Sequence, residues 1–366
     1  MKRILIITCT LIAIMLMTPS VSAEMSEFEE GICSQISDAK TDGIENDLQS
    51  IGVDADNPYS ITGLSADGIL GYVSGIVMES LTRPIRIVLI TAVFAAVCQI
   101  ATTLSYKSGL YGELFVMICF IVISSYVIDA FNSAISAMKS CHAFMLTYIP
   151  AFATVVAASG NITAAISYNA IVLYFCEAAA LLATSVLKPI LCCMLVMSVT
   201  QAINPDMTNI TSTIRNALTV IIGFVMTLFL GIISLQTLVG RGTDGLAIRA
   251  GKYAVSSFVP VIGYSLSESY KAVSLSLSAI RTTIGTFGII VLCLFMLSPI
   301  ITLAVYKAAF AICTWLCRLT GADRIAAMMS GLTDVFTFAG TVLTMFMLML
   351  TVSTGMLIIL GGELTP

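Results

Sequence analysis

The chain has 366 residues, of which 58% are hydrophobic and only 10% are charged, and its mean hydropathy is +1.00. An ordinary soluble domain carries about 25% charged residues, so too few charges remain here to cover a water-facing surface. This composition excludes a soluble enzyme and a disordered chain, and it predicts an all-α polytopic membrane protein. No basic patch with interleaved aromatic residues occurs, so nothing supports nucleic-acid binding.

The N-terminal segment, 1–23, has the order of a secretory signal peptide. Lys2 and Arg3 precede an apolar run at 4–17, and the Val-Ser-Ala sequence at 21–23 supplies small residues for a cleavage site. The apolar run is too short for an ordinary spanning helix, so we expect cleavage after Ala23. An uncleaved short anchor is the alternative.

An acidic segment follows the signal peptide. Residues 24–67 hold 11 of the 21 Asp and Glu residues and a single basic residue, Lys40. Residues 68–366 hold 14 Lys and Arg against 10 Asp and Glu, so this short segment alone sets the acidic balance of the chain. We expect residues 24–84 to be extracytoplasmic and residues 85–366 to form the membrane domain.

Long apolar runs fill the membrane domain. They are residues 87–104, 114–128, 162–186, 190–203, 217–239, 284–297, 300–316 and 335–360. These runs predict seven or eight transmembrane helices, because the two runs beside Pro299 can also form one broken pair. Two semi-apolar stretches, 144–158 and 253–266, are interrupted by Pro150 and Pro260 and are candidates for re-entrant or interfacial segments.

The placement of Lys and Arg indicates the orientation, because cytoplasmic segments carry an excess of basic residues. With residue 24 outside and eight crossings, nine basic residues fall on the cytoplasmic side and five fall outside. Five of the nine lie in residues 240–283, which this count places in the cytoplasm. Arg83 and Arg86 fall on the unfavourable side of the first crossing.

Four prolines and one short motif indicate an internal duplication, with candidate copies at 110–217 and 220–327. The prolines form two pairs with equal internal spacing: Pro150 with Pro189, and Pro260 with Pro299. A Phe-Val-Met motif at 115–117 recurs at 224–226, which is nearly the same offset as that between the two proline pairs. An odd number of crossings in each copy would invert the second, as in many transporters, whereas fully crossing proline segments would make the copies parallel. Both arrangements stay open.

One acidic residue, Glu177, lies well inside an apolar run. A carboxylate in the membrane costs roughly 3 kcal/mol unless it is protonated or paired, so Glu177 is a candidate functional residue and Lys307 a potential partner. A residue that holds helices or subunits together is the alternative. The single histidine, His142, has too few neighbouring ligands for zinc. No HExxH, GxSxG or P-loop motif occurs, so the sequence predicts no catalytic residue, no cofactor and no metal.

The basic stretch 240–283 is a candidate contact surface for a partner. It combines basic residues with glycines and a proline that shape the backbone. The candidate residues are Asp244, Arg249, Lys252, Pro260 and Gly263. A positive-inside anchor with an interfacial helix is the alternative.

Several short motifs carry a family resemblance. They are residues 149–150, 158–160, 229–234, 243–246, Arg249, Lys252 with Tyr253, 258–263 and 297–299. With these motifs the chain resembles the stage III sporulation protein AE family over nearly its whole length. The resemblance is densest between about residues 110 and 320. The acidic N-terminal segment carries little of it.

The resemblance implies a protein of endospore-forming bacteria, made in the mother cell and located in the membrane that surrounds the forespore. It implies a subunit, without assigned catalytic residues, of the stage III A channel-like or secretion-like complex, which supports forespore development and late forespore gene expression. The implied partners are other stage III A proteins, including a secretion-type ATPase and ring-forming membrane proteins, together with membrane lipid. A self-sufficient secondary transporter with inverted repeats is the alternative function.

Overall fold

The computed structural model describes residues 48–53, 66–104, 110–204, 210–258 and 263–360. For most of residues 237–258 and for residues 263–274 it describes the backbone alone. The predicted signal peptide and nearly all of the acidic segment lie outside the described residues, so both stay predictions.

Seven long helices make up almost all of the described chain. In order they are α1 (Ala66–Leu104), α2 (Leu110–Ala158), α3 (Ile162–Leu181), α4 (Lys188–Ile203), α5 (Ile210–Phe258), α6 (Gly263–Leu319) and α7 (Asp323–Leu360). A π-helical stretch, Leu182–Leu187, joins α3 directly to α4. No strand occurs among the described residues, and the predicted all-α fold of a polytopic membrane protein is confirmed.

Six helical stretches of the described chain are long and apolar enough to cross a membrane, against the seven or eight expected. The main reason is that two prolines expected to separate crossings lie inside single helical stretches, as Pro189 does in Ile162–Ile203 and Pro299 does in α6. A proline removes one backbone hydrogen bond, but neighbouring helices and side chains can satisfy the freed carbonyl. The segment around Pro150 is therefore part of a continuous helix and is not re-entrant.

The runs 162–186 and 190–203 also form one helical stretch, Ile162–Ile203. Pro189 follows the π-helical turn, whose wider hydrogen-bond spacing accommodates a ring that would otherwise meet the carbonyl four residues earlier. The chain therefore does not reverse direction here, and the stretch counts as one crossing.

Contacts between helices fix their directions. They are Glu113 with Arg324, Arg215 with Asp334, Ser234 with Met356, Ser80 with Thr302, Gln99 with Gly321, Phe144 with Phe295, and Tyr148 with Ile284. The first contact joins the starts of α2 and α7 at one end of the bundle, which we call end A; the opposite end is end B. By these contacts α5 is parallel to α7, α1 is parallel to α6, and α2 is antiparallel to α6. The helices α1, α3–α4 and α6 run from end B to end A. The helices α2, α5 and α7 run from end A to end B.

These directions place the start of α1, the far part of α5 and the start of α6 at end B. The start of α1 and the described parts of the basic stretch up to residue 275 therefore lie at the same end of the bundle. The charge count placed them on opposite sides of the membrane, which disagrees with this arrangement of the helices; the sidedness itself stays a prediction. The charge count treated residues 162–186 and 190–203 as two crossings. It therefore included one more change of chain direction between the start of α1 and the basic stretch.

The two candidate repeat copies run in the same direction. Both α2 and α5 run from end A to end B, and the helix after each returns. A duplication of 110–217 as 220–327 would therefore be parallel, and the inverted arrangement does not hold. Pro150 lies inside α2, whereas its counterpart Pro260 falls between α5 and α6, outside the described residues. The duplication itself stays a prediction.

Buried aromatic side chains fill the core between α2, α6 and α7. Tyr306 stacks on Phe336 with ring centroids 5.4 Å apart, and the Tyr148 hydroxyl donates a hydrogen bond to the carbonyl oxygen of Ile284 at 3.2 Å. A Cβ atom on Gly288 would overlap the ring of Tyr148. Glycine is therefore required where α2 and α6 approach closely, as in many membrane helix pairs.

Candidate functional site

Charged side chains lie well inside the candidate membrane spans. Arg83 on α1 lies 3.9 Å from Asp129 on α2, and both side chains are more than half exposed. Nε2 of His142 on α2 lies 2.9 Å from Oε2 of Glu177 on α3. Each pair joins two neighbouring helices. These charged side chains are therefore paired across helix contacts and do not lie at the helix ends.

These residues belong to a larger exposed surface on α1, α2 and α3, which we call the polar wall. Its members are Glu79, Thr82, Arg83, Arg86, Asp129, Asn132, Ser133, Ser136, Lys139 and Glu177, and all of them are exposed. On α2 they recur every three or four residues, which puts them on one helical face. The opposite face of α2 is buried and apolar, with Phe131, Ala134 and Met138. Charged side chains of membrane segments normally face protein or water, so the polar wall is not a typical lipid-facing surface.

Two further ion pairs anchor α7 near end A. Arg324 donates to Glu113 at 2.8 Å, and Arg215 donates to Asp334. Both pairs are partly buried; the first holds the first turn of α7 against α2, and the second holds its fourth turn against α5. Their position indicates a structural role.

The structure separates the two residues that the sequence suggested as a pair. Glu177 is bonded to His142, while Lys307 lies on α6 close to Asp334. From the sequence, His142 was considered only as a metal ligand and was missed as the partner of Glu177. The polar wall was also missed, although the spacing of Asp129, Asn132, Ser136 and Lys139 was a readable signal of one polar helix face.

Arg281 is the most unusual buried residue of the described chain. Its side chain is 1% exposed. Its Nη2 donates to Oγ of Ser278 at 3.1 Å, while Nε and Nη1 have no hydrogen-bond partner among the described residues. The charge count placed Arg281 in a cytoplasmic loop, but it lies within the apolar stretch Leu275–Leu319.

The other candidate contact residues lie around the junction of α5 and α6. Asp244, Arg249 and Lys252 belong to the part of α5 beyond the apolar stretch Ser212–Gln236, so the expected loop is helical here. Gly263 is the first residue of α6, and Pro260 lies outside the described residues. The side chains of these positions are not described, and their contact role stays a prediction.

The described residues bring together no group of three or more His, Cys, Asp or Glu side chains that could hold a metal ion. Fold and site together define a multi-pass α-helical membrane protein with polar side chains on the outer surface of its apolar helices.

The family model described as Stage III sporulation protein AE (spore_III_AE) matches residues 58–357, so the chain belongs to this family of sporulation proteins. The resemblance seen in the sequence is thereby confirmed. Stage III sporulation protein AE of Bacillus subtilis (strain 168) is 26% identical over 264 residues, which are 70% of this chain and 64% of that relative. The match thus spans less than two thirds of the relative's length. No solved structure matches the chain.

Proposed function

We propose that the chain is a non-enzymatic membrane subunit of the stage III A channel-like or secretion-like complex between mother cell and forespore. The observation that carries the proposal is the polar wall. Six charged residues of three helices lie exposed within apolar spans: Glu79, Arg83, Arg86, Asp129, Lys139 and Glu177. Such side chains normally face protein or water rather than lipid, which supports a surface that other subunits cover. Membership of a sporulation family supplies the context.

The proposed location is the mother-cell membrane that surrounds the forespore, and the proposed role is to support forespore development and late forespore gene expression. The proposed partners are other stage III A proteins, among them the secretion-type ATPase and the ring-forming membrane proteins. The basic stretch with Asp244, Arg249, Lys252, Pro260 and Gly263 is proposed as one contact surface. This stretch lies at end B together with the start of α1. If a signal peptide is removed from the chain, end B faces away from the cytoplasm, and a ring-forming partner is then favoured there over the cytosolic ATPase.

A pulldown from sporulating cells tests the proposal. An affinity-tagged chain that replaces the native copy should recover other stage III A proteins from solubilised membranes. The paired change Arg249→Gln and Lys252→Gln should reduce recovery of at least one partner while leaving the chain in the membrane. Arg318→Gln, an exposed residue at the other end of the bundle, is the matched control. Recovery of the chain with no stage III A protein would contradict the proposal.

The alternative, a self-sufficient secondary transporter, has less support. Its main motive was an inverted repeat, whereas α2 and α5 run in the same direction. Its candidate ion site, Glu177, is an exposed side chain paired with His142 and is not enclosed at the centre of the bundle. Substrate or proton uptake by the purified chain in liposomes would favour the transporter over the subunit.

A further inference from the structure

We propose that the polar wall is a self-association surface and that it is covered by the polar wall of a second copy of the chain. The inference rests on the proposed function, in which other subunits cover this surface, and it names the first of those subunits. Three features of the wall support a second copy: its charge balance, its small side chains and its apolar neighbours.

The charges of the wall are balanced. The wall holds three acidic residues, Glu79, Asp129 and Glu177, and three basic residues, Arg83, Arg86 and Lys139. Surfaces that attract ions into a conduit carry one sign of charge. A balanced surface instead suits a two-fold contact, in which each copy offers both the donor and the acceptor of every pair.

The pair of Arg83 and Asp129 leaves room for such contacts. The two side chains approach to 3.9 Å and are 63% and 61% exposed. A guanidinium has five donors and a carboxylate accepts several hydrogen bonds. Both groups can therefore keep their partner within the chain and gain a second one across a two-fold axis.

Small side chains allow a second helix to approach α2 closely. Asn132, Ser136 and Ser140 are spaced four residues apart, and Ser133 lies beside them. This spacing is the small-xxx-small pattern of packed membrane helices, whose hydroxyl and amide groups also form hydrogen bonds across the interface. From Asp129 to Lys139 the wall extends about 15 Å along α2, which is half of a hydrocarbon core.

Large apolar side chains border the polar residues. Ile85 on α1 is 53% exposed, and on α2 Ile128 and Leu146 are 43% and 45% exposed. A water-filled path along the wall would leave these side chains wet. A protein surface would bury them together with the polar groups, so the mixed composition favours a protein partner over water.

Disulfide cross-linking in membranes tests the proposal. The chain is made alone in a bacterium that does not sporulate, with the exposed Cys192 and Cys193 replaced by serine to lower the background. Ser136→Cys places one thiol at the middle of the wall. The matched control is Val225→Cys on α5, which is also exposed but lies on a helix that packs against α3, α4 and α7. Both membranes are oxidised and separated without reductant.

We expect a cross-linked band of twice the chain mass for Ser136→Cys and only background for Val225→Cys. Adding Lys139→Glu should lower the cross-linked fraction about fivefold, whereas Lys139→Arg should not, because lost interhelical polar contacts weaken membrane helix association by such factors. A Ser136→Cys signal no stronger than the control would overturn the proposal. So would modification of the Ser136→Cys thiol by a membrane-impermeant maleimide without cross-linking, which would show a wet wall.

The host without sporulation proteins keeps this test separate from that of the proposed function. If cross-linking fails there while the tagged chain still recovers stage III A proteins from sporulating cells, only the second copy is excluded. If cross-linking succeeds and recovery fails, the chain self-associates but the proposed complex is wrong.

Discussion

His142 on α2 and Glu177 on α3 are hydrogen-bonded across the interface of the two helices, with Nε2 and Oε2 2.9 Å apart. The imidazole is largely covered, with 16% of its side chain exposed, while the carboxylate side chain is 59% exposed. A carboxylate within an apolar helix needs a proton or a polar partner. The only histidine of the sequence supplies that partner at the edge of the polar wall.

The first prediction concerns this pair. Glu177→Gln should keep the hydrogen bond and leave stability and spore yield close to wild type. Glu177→Leu should lower the free energy of unfolding by about 0.6 kcal/mol, the average for polar contacts between membrane helices, and should reduce spore yield. Unfolding of the purified chain in micelles, with His142→Phe completing a double-mutant cycle, measures the coupling. A coupling free energy of zero would show that the pair has no energetic role.

The sequence predicted the class of fold because the bilayer imposes its own solvent rules. Long apolar runs can cross a membrane only as helices or closed barrels, and runs of this length indicate helices. The number of crossings was predicted less well. Pro189 and Pro299 each remove a hydrogen bond, but whether the helix ends there depends on neighbouring helices that a local pattern does not contain.

The second prediction is that the entry to α1 and the α5–α6 junction face the same side of the membrane. Single cysteines at Ser65 and Gly242 should react with a membrane-impermeant maleimide from one and the same side. A cysteine at Thr320, at end A, should react only from the other side. The unmodified chain, whose described cysteines are unpaired, gives the background.

The same labelling also decides which side faces the cytoplasm. With the signal peptide removed, end B is extracytoplasmic, and intact cells freed of their outer layers should label positions 65 and 242. Labelling of these two positions from opposite sides would restore the topology expected from the charge count. It would then contradict the continuous helical stretch Ile162–Ile203.

The third prediction concerns close packing of α2 against α6. Gly288→Ala should lower the free energy of unfolding by about 1–3 kcal/mol, because the new methyl group overlaps the Tyr148 ring in a packed core. Gly340→Ala is the matched control in α7, where nothing lies within 4 Å of the added Cβ. That change should instead stabilise the helix by up to about 1 kcal/mol. Equal effects at the two positions would contradict the close approach.

The candidate site was harder to read from the sequence than the fold. Glu177 was found because an acid within an apolar run is conspicuous, but its partner lies 35 residues away on another helix. Distances between helices follow from their directions, which the local pattern does not provide. Arg281 shows the same difficulty. Its surroundings in sequence are polar, and only the packing of α6 shows that it is buried.

The fourth prediction concerns Arg281. Two of its guanidinium nitrogens have no hydrogen-bond partner among the described residues, although the side chain is 1% exposed. Burial of an unpaired charge is costly. Arg281→Met, which keeps an unbranched but shorter apolar side chain, should therefore raise the free energy of unfolding by about 1 kcal/mol. Arg281→Lys should not raise it, because the charge remains.

A costly charge within the membrane is a functional candidate, so we expect Arg281→Met to lower spore yield despite its stability. Unfolding in micelles and spore counts measure the two effects. A loss of about 3 kcal/mol for Arg281→Met would contradict the prediction, because a loss of that size is typical of a broken buried ion pair.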